Sequence, residues 1–145
     1  MSLAIPYVLR AAAEARPETR VHVGPGCCTI REAERRSAEI AAQLWRTGCR
    51  TRALGSPVVE QLAAARIGLP LAEHDLPGEP RGRPCELAAL ESGVWSSTQL
   101  ALTPRELSHG QFLASVQAGR PVQGLEQLAM LVGEMLSAGA QSSMR

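Results

Sequence analysis

Only four of the 145 residues are aromatic: Tyr7, Trp45, Trp95 and Phe112. A folded core must therefore be assembled from small and aliphatic side chains, and 22 alanines with 18 leucines supply them. Such a core buries less apolar area per residue, so a partner or a second copy is an expected source of further burial. The balance of 45% apolar to 20% charged residues is that of a globular chain. The length suits one domain, expected over residues 1–140 with a frayed tail at 141–145. No apolar run is long enough for a transmembrane helix. Met1 to Pro6 carries no basic residue ahead of its apolar ones, so no secretory leader is expected and the chain reads as cytoplasmic.

The basic residues restrict the chemistry. All 15 are arginine, so reactions that need a lysine amine are excluded from this chain. Against 14 acidic residues they leave a net charge of +1, spread along the sequence, which gives no pull toward nucleic acid. Cys27, Cys28, Cys49 and Cys85 show no CxxC spacing. They are expected to be reduced thiols, with no metal site and no cofactor. Cys27 and Cys28 should point to opposite faces of a strand.

Caps and breakers divide the chain. A helix is expected from about Leu3 to Arg16, with Pro6 in its first turn and Pro17 at its end. Arg20 to Val23 and Cys27 to Ile30 flank Gly24-Pro25-Gly26, a hairpin signal. Thr29 and Glu32 have capping-box spacing and open a helix to Thr47, with Ala33, Ser37, Ile40, Ala41 and Leu44 on its apolar stripe. A strand over Arg50 to Leu54, a helix over Pro57 to Ile67 and a strand over Leu69 to Ala72 follow. Asp75 to Pro84 holds too many breakers for regular structure. Strands are expected at Glu86 to Leu90 and Gln99 to Leu102, on either side of a hydroxyl-rich turn, Ser92 to Thr98. Thr103-Pro104-Arg105-Glu106 reads as the cap of a helix to Ala118, and a final helix spans Val122 to Ala138. The order predicts an α/β fold: a small mixed or parallel sheet flanked by helices, with an N-terminal helix, a β-hairpin and a C-terminal apolar helix.

Three strings then resemble the start of adenylate-forming enzymes, the superfamily of acyl-CoA synthetases and peptide-synthetase adenylation domains. The first runs from Pro17-Glu18-Thr19-Arg20-Val21-His22-Val23 through Thr29-Ile30-Arg31-Glu32 to Ala38. The second is Ser56-Pro57-Val58-Val59-Glu60 with Ala63-Ala64-Ala65-Arg66-Ile67-Gly68-Leu69-Pro70-Leu71. The third, Ser92-Gly93-Val94-Trp95-Ser96-Ser97-Thr98 with Leu102-Thr103-Pro104-Arg105-Glu106-Leu107, resembles the phosphate-loop motif SGTTGRPKGVLLTHRNL. In that family the loop wraps ATP phosphates with backbone N–H groups. Here the later Gly, the Pro and the Lys of the motif are missing. The resemblance implies a family-like fold with a lost activity, because the catalytic lysine and the lid that carries it are absent. It also implies ligand contacts from Ser92, Gly93, Ser96, Ser97 and Thr98, where the alternative is an ordinary polar turn.

Other candidates are weaker. Glu73-His74-Asp75 reads as a solvated turn in preference to an acid–base cluster. His22 and His109 read as exposed, and nothing brings Cys85 to a histidine. Arg81 and Arg83 read as solvated loop residues, though they offer a clamp for an anion. The final helix is apolar on more than one face. Leu128, Met130, Leu131 and Met135, with Trp95, are therefore expected at a homodimer or partner contact. Three functions follow from these readings: a non-catalytic pseudo-ligase binding a partner or a small acyl or nucleotide ligand, a chaperone-type adaptor using its last helix, and a small Cys/His-dependent enzyme.

Overall fold

The first helix, α1 (Ile5–Ala15), forms where an alanine run follows a first-turn proline. It belongs to a computed structural model that describes residues 4–47, 49–77, 98–103 and 105–143. Ile5, Val8, Leu9 and Ala12 are buried, which is the spacing of a single helical stripe. No side chain caps its start locally. The N–H of Ile5 instead donates to Nδ1 of His109 at 3.2 Å, across 104 residues.

A hairpin follows, β1 (Arg20–Val23) against β2 (Gly26–Thr29), with Val23 opposite Gly26. The two turn residues are Gly24 and Pro25, and Gly24 has φ +79°. A positive φ at the first turn position is the type II′ geometry that matches strand twist, and glycine adopts it without strain. Val21 and Cys28 face inward; His22 and Cys27 face out.

Thr29 Oγ1 accepts the N–H of Glu32 at 3.1 Å and starts α2 (Ile30–Thr47) as expected. The helix buries Ile30, Ala33, Ser37, Ala41 and Leu44. After β3 (Cys49–Ala53) comes α3 (Val58–Arg66), which is buried over most of its circumference and so lies inside the molecule. It ends in a Schellman motif: Leu69 N–H donates to the Ala64 carbonyl, Gly68 N–H to that of Ala65, and Gly68 has φ +72°.

Four short strands complete a mixed sheet: β4 (Leu71–Ala72), β5 (Leu76–Pro77), β6 (Gln99–Ala101) and β7 (Leu107–Ser108). Their spatial order is β5-β3-β4-β6-β7. Strands β3, β4 and β6 are parallel, while β5 and β7 run antiparallel at the edges. The fold is α/β, with the hairpin and flanking helices as expected. Strand β5 lies where only loop was expected.

Two boundaries differ more. The helix expected after Thr103 begins at His109 instead: α4 (His109–Gln117). Leu107 and Ser108 are extended because they pair with β6, and the Leu107 side chain is buried. A capping box at Ser108 and Gln111 then starts the helix, with N–H donations of 3.2 Å and 2.9 Å. The last helix, α5 (Glu126–Ser143), starts later and runs past the expected Ala138 end. Among the described residues, no helix is long and apolar enough to cross a membrane.

Helix α5 also corrects an expectation of exposure. Leu128, Leu131 and Met135 are all 0% exposed within one chain. With Val132 and Ala138 they make one stripe, and α1 packs against it. The apparent extra width of this helix is thus largely taken up inside the chain, and Met130 alone of the expected contact residues among them is exposed, at 57%.

Candidate functional site

Parallel strands direct their carboxyl ends to one edge of a sheet, and open α/β sheets take ligands there. Here Ala53, Ala72 and Ala101 mark that edge. Arg52 on β3 is the central side chain. Its Nη2 pairs with Glu60 of α3 and its Nη1 with Oδ2 of Asp75 at 3.1 Å. Asp75 Oδ1 accepts the N–H of Ala53 at 2.7 Å. Next to this cluster, Thr51 Oγ1 donates to the His74 carbonyl at 2.7 Å. Gln61, 4% exposed, donates through Nε2 to the carbonyls of Leu54 at 2.7 Å and Ser56 at 3.1 Å. The β3–α3 loop and the loop after β4 are therefore tied down by side chains from neighbouring elements.

Two polar atoms at this edge are buried without a partner among the described residues: Nε of Arg52 and Oε1 of Gln61. They are one donor and one acceptor, and each carries a desolvation cost. One guanidinium is shared between two carboxylates, which leaves the cluster acidic by one charge. The cluster holds the edge together, and a cation already bonded to two carboxylates is a poor anion receptor.

The phosphate-loop-like string is reached only at its end. Ser92, Gly93, Trp95, Ser96 and Ser97 lie outside the described residues, as do Arg81, Arg83, Cys85 and the strand expected at Glu86 to Leu90. Thr98 is half-buried at the entrance to β6, and its carbonyl accepts the N–H of His109 at 3.0 Å. Glu73, His74 and Asp75 are all exposed, but only Asp75 takes part in the cluster.

Of the two histidines expected to be exposed, His22 is so and His109 is not. His109 is fully buried, where an exposed helix residue was expected. Desolvation pushes its pKa down from 6.5 to about 4. His22 is exposed, yet it fastens the hairpin to α5: its N–H and Nδ1 lie 2.8 Å and 2.6 Å from the two carboxylate oxygens of Glu134. Cys27 is exposed and Cys28 buried, both as free thiols. Sγ of Cys27 lies 3.5 Å from the Arg20 guanidinium, and burial pushes the Cys28 thiol up. Among the described residues no group of three His, Cys, Asp or Glu is placed to hold a metal ion.

Comparison with protein families, with curated proteins and with solved structures gives no match for this chain.

Proposed function

We propose that the chain is a non-catalytic accessory domain built like the first part of an adenylate-forming enzyme, acting by binding a protein partner or a small acyl or nucleotide ligand. The observation that carries this reading is the Arg52–Glu60–Asp75 cluster. At the strand edge where chemistry would be sited, the charged groups bond one another and the backbone. A working synthetase instead needs positive groups aimed at the reacting phosphate, each stabilising the transition state by some kcal/mol. The absence of any lysine in the sequence agrees with this. So does the element order, in which a helix, a hairpin, a long helix and a β-α-β unit precede a strand entered from a hydroxyl-rich segment. The adaptor reading loses support because Leu128, Leu131 and Met135 are committed to the core.

The test is carboxylate-dependent exchange of labelled pyrophosphate into ATP, run over a panel of aliphatic, aromatic and amino acids. Background rates throughout are expected. Exchange above background with any member overturns the reading.

A further inference from the structure

Between α2 and α3 the surface opens into a groove of about 380 Å³. That size falls within the roughly 300–1,000 Å³ usual for small-molecule pockets. Ala38, Ala41, Ala42 and Ile67 line it with apolar surface. The alanines recur at helical spacing on α2, so they leave a shallow apolar trough instead of filling it. Trp45, half-buried, is its one aromatic side chain.

The charges in the groove are all of one sign. Arg46 and Arg66 line it, and no acidic side chain does. Arg66 is half-buried and held in place: its Nη1 donates to the Glu34 carbonyl at 3.1 Å and lies 3.2 Å from Ser37 Oγ. Neither arginine has an ion-pair partner among the described residues, whereas Arg10, Arg31 and Arg35 have one each and Arg52 has two. A partly desolvated guanidinium without a counter-ion is unfavourable by itself. A carboxylate at this position would form charge-assisted, often bidentate hydrogen bonds with it. An aliphatic tail on the same molecule would cover the alanines and the indole.

We propose that this groove binds an aliphatic carboxylate of medium length, with its tail on the alanines beside Trp45 and its head group at Arg66 and Arg46. The proposal deepens the reading of the chain as a binder and rests on it, but it uses no residue of the Arg52 cluster.

The experiment is isothermal titration calorimetry of the full chain with octanoate and with octylammonium, which share a tail and differ in charge, without nucleotide. Saturable octanoate binding is expected, with octylammonium about tenfold weaker or more. Arg46→Gln breaks no bond described within the fold and is expected to weaken octanoate about fivefold, with an unchanged circular dichroism spectrum. Ala42→Leu, at an exposed position, is expected to fill the trough and abolish binding. Equal binding of the two amphiphiles, or octanoate binding untouched by both variants, overturns the proposal. So does a dimer that Ala42→Leu dissociates, since a second copy would then be the occupant. Octanoate binding together with pyrophosphate exchange would remove the non-catalytic reading and leave the groove standing. Background exchange without octanoate binding would do the reverse.

Discussion

His109 shows how burial sets the behaviour of one residue. Its Nδ1 accepts a hydrogen bond from the Ile5 N–H, so that nitrogen is unprotonated and the neutral ring carries its proton on Nε2. The folded chain holds this ring neutral down to about pH 4, while an unfolded chain protonates it near 6.5. Between those values the unfolded state binds the extra proton. The contribution of His109 to stability is therefore level above pH 6.5, falls as the pH drops toward 4, and levels again below it. The total contribution is about 3 kcal/mol, from a shift between 6.5 and about 4. Urea melts of the wild type and of His109→Gln from pH 4 to 7.5 check this, since the variant should lack that part of the slope. Gln keeps an acceptor for Ile5, so its loss at neutral pH should be the smaller effect. Nothing in the neighbouring residues signals the burial, because His109 follows a polar cap and the partner that needs it lies 104 residues earlier. The Arg52 cluster is hidden in the same way: Glu60 is eight residues away and Asp75 twenty-three, and the pairing of β3 with both β4 and β5 brings Asp75 to Arg52.

At the scale of elements, local chemistry was legible and long-range pairing was not. The hairpin, α2 and α3 lay close to their expected places because Gly24, Thr29 and Gly68 act on their own neighbours. Thr103-Pro104-Arg105-Glu106 imitates a helix start ahead of the true start of α4 at His109. The Ser108–Gln111 box was equally visible in the sequence, but choosing between the two needed the β6–β7 ladder. Strand β5 is two residues long and exists by pairing with β3, a contact that no local signal announces. If the Ser108 box starts α4, Ser108→Ala should cost about 1 kcal/mol in urea midpoint stability. Thr103→Ala should cost no helix content by circular dichroism, since that residue lies outside α4. An equal loss of helix in both variants would contradict the assignment.

For the whole molecule, the question raised by few aromatics is answered by aliphatic packing. Among the described residues Phe112 is the one aromatic completely buried, surrounded by a core of Leu, Ile, Val and Ala. The wide apolar appearance of α5 reads from sequence as an interface, since periodicity alone does not say how much of a stripe neighbouring helices will cover. Leu131→Glu should therefore unfold the chain, with loss of the cooperative melt, because it places a charge at a site that is 0% exposed. Met130→Glu, one residue earlier at 57% exposure, should leave the melting midpoint within about 0.5 kcal/mol of wild type. A folded Leu131→Glu protein that changes only its light-scattering mass would restore the interface reading.

The packing of α1 against α5 bears on when the chain can fold during its synthesis. Of the described helices, α1 is synthesised before α5, yet its apolar face is completed by α5 and its opening N–H is satisfied by His109. The β1–β2 hairpin waits in the same way for Glu134. Domains fold as units while translation delivers about 5–20 residues each second. Ile5, Val8 and Leu9 thus remain without their final cover for several seconds while the intervening chain emerges.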